Sequence, residues 1–384
     1  MKIYVLAICS CFFILLERVC CQAITGDHVA STLDGEEASN SSSSPFNVAG
    51  LRTNRLSKAD IRYLESIKGV EIWISDIVNC FAIISNVAIM MVMQRHKSSS
   101  VPRVYMTGLA ACDFGVGVCA LITSLQDRNG CVPKTYRAIC KYTYWAIFGF
   151  ETSASMSAAL IATLLSIDRC IAIRKPLTYS LKCTVHRAKI FSFGVIVTNL
   201  LVSINYPFRI EVKDGREGGN VRYSFSEFTD FGSIDAYRKI FNGYEFLLRF
   251  AIPLFVMTIS NTWTLVIIRR QVKRREAMSN GMVQEFPKTK YLTTTVGVVV
   301  IFFITQLTRA GYLTTALIMG LDNRGILLNA LVDMFGVFLA RFNSVVNIFI
   351  YYIFDKEFRC LMIDVICCCR RKPNAVQKIV MKFQ

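Results

Sequence analysis

Six ionisable side chains sit within stretches that are otherwise apolar: Glu151, Glu245, Arg249, Arg309, Asp333 and Arg341. An unpaired charge buried in such surroundings costs on the order of several kcal/mol. Three acids and three bases balance, so this set can pair. Glu245 and Arg249 are four residues apart and share a helix face. Asp113 stands alone in its own apolar run and must turn inward to find polar partners. Asp168-Arg169 closes the longest run, from Lys141 to Ile173. Residues of these types at these places can pair, exchange partners and capture a charged group. Bond-making chemistry has no such support. The three histidines, His28, His96 and His186, all lie outside the apolar runs, and no GxxxxGK[ST] phosphate loop is present. The reading is therefore not that of an enzyme.

The elements that hold these residues are long and greasy. The 384-residue chain is 53% hydrophobic with 27 Phe, which excludes a disordered or ordinary soluble protein. Seven apolar spans fall at 72–94, 101–125, 140–168, 187–207, 243–268, 290–318 and 327–352. Each is long enough to cross a bilayer as a helix. An eighth segment, Phe354 to Ile366, alternates charged and apolar residues and reads as an amphipathic helix on the membrane surface. The predicted fold class is thus an all-α membrane protein, a seven-transmembrane helix bundle with a short amphipathic eighth helix.

Charge fixes the expected orientation. Segments 95–103, 168–189, 269–290 and 355–384 hold 23 Lys/Arg and 6 Asp/Glu, leaving 21 of the 44 bases and 21 of the 27 acids elsewhere. The whole net charge of +17 falls on one alternating set of loops. That is the positive-inside pattern, with the amino terminus outside and the carboxyl terminus in the cytoplasm. Basic loops interleaved with apolar spans are not a nucleic-acid surface, so no nucleic-acid partner is expected.

Residues 1–23 read as a signal peptide, cleaved or retained as an anchor. Residues 24–70 form an extracellular segment, acidic and serine-rich in part, with an N-glycosylation acceptor at Asn40. The bundle takes 71–353, and 354–384 are the amphipathic helix and cytoplasmic tail. In that tail Cys367, Cys368 and Cys369 precede Arg370-Arg371-Lys372. Palmitoylation of these thiols and free reduced thiols are both open.

Several of these residues, taken in order, resemble the rhodopsin-like (class A) G-protein-coupled receptors. They are Ser85-Asn86-Val87 in span one, Asp113 in span two, Asp168-Arg169-Cys170 closing span three, Pro253 in span five, and Asn343-Ser344-Val345-Val346-Asn347-Ile348-Phe349-Ile350-Tyr351 in span seven. Cys170 stands in place of a tyrosine and Ile348 in place of a proline. Asn205-Tyr206-Pro207-Phe208-Arg209, Ile252-Pro253 with Asn261, and the proline-free span-seven run are most similar to invertebrate FMRFamide-type neuropeptide receptors.

The resemblance implies a plasma-membrane receptor for an extracellular ligand, with a heterotrimeric G protein, arrestin and membrane lipids as partners. It puts Asp168, Arg169, Cys170, Asn261, Asn347 and Tyr351 in the activation switch and coupling face. The six intramembrane charges line the ligand side. Glu151 lies eighteen residues before Arg169 on the same face of one helix. It either contacts ligand, or pins helices through a salt bridge to Arg341, or does both. A pocket with both signs of charge and a charged outer loop from Phe208 to Asn242 suit a peptide. An amine or other small molecule, and in another class a seven-helix transporter or channel, are the alternatives. The resemblance also offers Asp113 as a sodium ligand with allosteric effect, although Ala158 stands where a serine is expected; no other cofactor is implied.

Departures from the family pattern matter too. Span six has no Cys-Trp-x-Pro element. The outer loop 208–242 has no cysteine, so the family's usual disulfide to the top of span three cannot form, and Cys131–Cys140 is the expected local bridge. Lys288 stands where an acid often faces the arginine, so Arg169 is expected to be held at rest by Asp168 alone, with measurable basal activity.

Overall fold

The computed structural model describes residues 58–95, 100–129, 134–217, 220–278, 305, 326–354 and 356–366. The signal segment, Asn40, Cys131, Lys288, Arg309, the tail cysteines and all of span six except Thr305 lie outside these residues. So do the side chains of Cys140 and Asp333, although both positions are helical.

Three long helices open the bundle: α1 (Lys58–Arg95), α2 (Val101–Asn129) and α3 (Lys134–Arg174). A short α4 (Pro176–Lys182) leads into α5 (Val185–Ser203) and a single turn α6 (Tyr206–Arg209). Proline opens both short helices, where its missing N–H costs nothing. Thr184 caps α5 by accepting from the Arg187 amide.

The segment 208–242 is not all loop. It contains an antiparallel hairpin, β1 (Ile210–Glu217) with β2 (Asn220–Phe228), which the all-helical expectation did not include. The signal was present in the alternation Val221, Tyr223, Phe225 beside the dipeptide Gly218-Gly219. A register shift at Gly215/Arg216 leaves Arg222 as an extra residue on β2.

Two helices, α7 (Asp230–Ser233) and α8 (Asp235–Phe246), then enter a π-helical turn, Leu247–Ala251, and α9 (Ile252–Met278). The π turn has a local cause. Pro253 cannot donate to the carbonyl four residues back, and the Ile252 amide instead reaches Leu247, five residues back. The last elements are α10 (Ile326–Phe354) and α11 (Lys356–Ile366), the expected amphipathic segment. Among the described residues five helices are long and apolar enough to cross a membrane, at Val70–Arg95, Val101–Leu125, Thr143–Arg174, Val185–Arg209 and Asp235–Gln271.

Packing centres on α2 and α3. One core joins Tyr105, Leu109 and Cys112 of α2 to Ala158, Ile161 and Ala162 of α3 and Met257 of α9. A second joins Ile89 and Val92 of α1 to Met106, Ile350, Tyr351 and Phe358. Because lipid is as apolar as leucine, such contacts hold by close fit, which favours small residues. Gly149 on α3 shows how close: a Cβ there would meet the Ser203 carbonyl oxygen at 2.8 Å and Tyr206 Cβ at 3.3 Å. Overpacking of this kind costs about 1–3 kcal/mol. Gly149→Val is therefore expected to lower the melting temperature and surface expression. Gly194→Ala, with nothing within 4 Å of the added carbon, is expected to leave both unchanged.

Candidate functional site

The intramembrane polar residues gather into three layers, and α3 contributes to each end. In the layer nearest the hairpin, Arg341 of α10 lies between two carboxylates. Its Nε is 3.7 Å from Glu151 Oε1, and its Nη1 is 3.9 Å from Glu71 Oε1. Ser75 donates to the same Glu71 oxygen at 2.8 Å. These are loose contacts. Arg341 Nε and Glu151 Oε2 are buried yet have no hydrogen-bond partner among the described residues. Glu71 was not among the charges that the sequence balanced, because it precedes the apolar run. With it, Arg341 faces two acids.

One turn along α3 the pairing is tight. Arg249 donates to Glu245 Oε1 at 2.9 Å and to Ser155 Oγ at 2.9 Å. Tyr206 donates to the other Glu245 oxygen at 3.2 Å. The π turn at 247–251 carries Arg249 into the bundle, where it is only 4% exposed. The shared face expected for Glu245 and Arg249 is thus occupied by an internal pair, tied to α3 by Ser155. Neither Ser155 nor Tyr206 was assigned a role from sequence; a hydroxyl one helical turn from an intramembrane acid was the available signal.

The middle layer belongs to Asp113, which is 1% exposed. Ser344 donates to one carboxylate oxygen at 2.9 Å and Asn347 to the other at 2.8 Å. Asn86 links α1 to the same place by donating to the Ser344 carbonyl at 2.9 Å. Asn343 accepts from Thr305 at 3.2 Å instead. Nearby α5 is fixed to α3 by Asn199 donating to Ser157 at 3.0 Å. As a sodium cradle the Asp113 set fits poorly as it stands, since Ser344 and Asn347 both present hydrogens to the carboxylate and Ala158 offers no oxygen.

In the third layer, Tyr179 of α4 donates to both oxygens of the buried Asp168 at 3.1 Å each. Burial and the facing Asp168 carboxylate push the Tyr179 phenol well above its usual range, so it stays a donor at physiological pH. Asp168 is thus itself restrained from α4. Cys170, two residues on, is half-buried. Arg174 lies over the Trp263 ring at 4.8 Å, joining the end of α3 to α9. Asn261 donates to the Met257 carbonyl on its own helix, and its Oδ1 has no partner among the described residues. Tyr351 is buried against Phe358, and its hydroxyl too has no partner among the described residues. Such orphaned groups cost about 1–3 kcal/mol each and mark where the packing can rearrange.

The tight pair makes a stability prediction. Breaking a buried ion pair from one side costs about 3–5 kcal/mol, whereas replacing both partners is milder. Glu245→Gln and Arg249→Met should each lower the melting temperature of purified protein, and the double variant should be more stable than Arg249→Met alone.

Comparison with known proteins bears on this geometry. The model of the seven-transmembrane receptor (rhodopsin family) matches residues 85–351. A curated relative, the FMRFamide receptor of Drosophila melanogaster, is 22% identical over 312 residues, which is 76% of this chain and 53% of the relative. The chain spans about half the length of that relative. The family match runs from the Ser85-Asn86 pair of α1 to Tyr351 of α10 and takes in the Asp113, Asp168-Arg169 and Asn347 layers. It supplies the span that the described residues leave out, and the chain is a multi-pass, seven-helix member of the rhodopsin family of seven-transmembrane receptors.

Proposed function

We propose that the chain is a plasma-membrane receptor for an extracellular peptide, with its amino terminus outside and its carboxyl terminus in the cytoplasm. Its output is a heterotrimeric G protein, with arrestin as a further cytoplasmic partner. The observation that carries this reading is the loose Glu71–Arg341–Glu151 cluster. Two carboxylates share one guanidinium at 3.7 and 3.9 Å, so a ligand cation can replace Arg341 at Glu151 without leaving Arg341 unpaired. An arrangement made only to pin helices has no need of a surplus acid. The relative's name adds the peptide class.

Glu151 and Arg169 lie on one helix, eighteen residues and about 27 Å apart. A displacement at the cluster therefore reaches the Asp168–Tyr179 restraint through a single rigid element. Asn261, Asn347 and Tyr351 would rearrange with it, and Arg269, Arg270, Lys273, Arg274 and Arg275 would face the G protein. Arg309 and Asp333 belong to the same ligand side in this reading. So do Glu245 and Arg249, as the wall that positions Tyr206 rather than as free charges. The Cys131–Cys140 bridge, glycosylation at Asn40 and acylation at Cys367, Cys368 and Cys369 stand as parts of the same proposal. Sodium at Asp113 would require Ser344 and Asn347 to turn. An amine could use the same exchange at Glu151, and it is the relative's name that favours a peptide.

A panel of amidated neuropeptides applied to cells expressing the chain, read by calcium and cyclic nucleotide, tests the function. Dose-dependent activation supports it; ion current or uptake without G-protein activation would place the chain with transporters or channels. For the activating peptide, Glu151→Gln at matched surface expression is expected to raise the half-maximal concentration about tenfold, the equivalent of ~1.4 kcal/mol. An unchanged dose-response would remove Glu151 from the ligand site. Asp168→Asn, which takes the charge from beside Arg169, is expected to raise basal signalling in the absence of peptide.

A further inference from the structure

The hairpin β1–β2 has no covalent tie. No cysteine occurs between Cys183 and Cys360, so a disulfide cannot fix it to any helix. Two strands alone are marginal in water, and something at the base must hold them. Arg209, where α6 passes into β1, is 6% exposed and pairs with no carboxylate among the described residues. Its guanidinium carbon lies 4.7 Å from the Phe241 ring centroid and 5.4 Å from that of Phe228. One ring belongs to α8 and the other to the last residue of β2.

Other atoms of Arg209 are engaged as well, while its Nε is buried with no hydrogen-bond partner among the described residues. Its Nη2 donates to Asn242 at 3.0 Å. Its carbonyl accepts from the Thr229 amide at 3.0 Å and from the Thr229 hydroxyl at 3.2 Å. Gly232 lies against that carbonyl so closely that a Cβ there would collide with its oxygen. A buried guanidinium without an acid is stabilised by ring faces and neutral acceptors, and here these come from the last residue of β2 and from α8.

The clamp also connects to the layer described above. Phe241 packs edge-on to Tyr206 at 5.3 Å, and Tyr206 to Phe148 of α3 at 5.4 Å. Phe148 is three residues before Glu151, and Tyr206 donates to Glu245.

We propose that Arg209 is a positioning residue: its cation–π clamp between Phe228 and Phe241 fixes the base of the hairpin, without a disulfide, and registers it on the turn of α3 that carries Glu151. A shift of the hairpin thereby reaches Tyr206 and the Glu245–Arg249 pair through ring contacts. This goes beyond the receptor reading and is tested without any ligand, so the two can fail separately.

The test is hydrogen exchange with mass spectrometry on the purified full-length protein in lipid nanodiscs, with and without TCEP. In the native protein the paired amides of 210–217 and 220–228 should exchange slowly and be unaffected by TCEP. Arg209→Gln should speed their exchange by about tenfold or more while α5 and α9 keep their protection, a local loss that general destabilisation does not give. Arg209→Lys keeps the charge over the rings but loses the planar contact with Asn242, and should fall between. Phe228→Leu changes a partly exposed ring and spares the bundle should Arg209→Gln fail to fold. Arg209→Gln with Phe228→Leu should exchange no faster than Arg209→Gln alone. The proposal is overturned if TCEP alone releases the hairpin, if Phe228→Leu leaves its exchange unchanged, or if the two substitutions act additively.

Discussion

A charged or strongly polar group placed between apolar helices must be answered by a group on another helix, and this requirement organises the bundle. Helix α3 gives one answering group at almost every level. Glu151 meets Arg341 of α10, Ser155 meets Arg249 beside the π turn, Ser157 meets Asn199 of α5, and Asp168 meets Tyr179 of α4. Among the described residues the Asp113 layer is the one answered elsewhere, by Ser344 and Asn347 of α10. Close fit of small residues holds helices together in lipid, and these polar pairings add to it in setting which helix faces which.

The pairings differ in tightness, and that difference is where function can enter. Arg249 has short bonds to Glu245 and Ser155, and its Nε alone is left without a hydrogen-bond partner among the described residues. Arg341 has long contacts to two acids and leaves its own Nε and one Glu151 oxygen without hydrogen bonds. Short hydrogen bonds hold a network rigid, whereas long contacts leave an alternative arrangement within reach. In the proposed reading the first is frame and the second is trigger. The orphaned Tyr351 hydroxyl and Asn261 oxygen are the corresponding slack near the opposite end.

Much of the frame was legible in sequence because it rests on length and period. Span lengths and the spacing of Glu245 and Arg249 follow from helix geometry and burial, while the ordered set Asn86, Asp113, Asp168-Arg169 and Asn347/Tyr351 was legible through the family resemblance. What sequence concealed were groups whose role depends on a neighbouring element. Glu71 counted as outside the span because hydropathy, rather than reach across to Arg341, defined the boundary. Tyr179 and Ser155 are ordinary residues until α4 and the π turn bring their partners near. The hairpin was hidden by the charge of its loop, since charge speaks for exposure and not for backbone state. Arg209 was quoted only as part of a motif, because a stacked arginine has no sequence signature.

The central claim is that the Glu151–Arg341 contact is a releasable restraint transmitted along α3 to Arg169. It is tested most directly by a double-mutant cycle on basal signalling, measured as nucleotide exchange on a panel of heterotrimeric G proteins without ligand. Glu151→Gln and Arg341→Met are each predicted to raise basal exchange, and the double variant to raise it no further than the larger single effect, because both remove one interaction. Additive effects, or no change in basal exchange in either single variant at matched expression, would contradict the account.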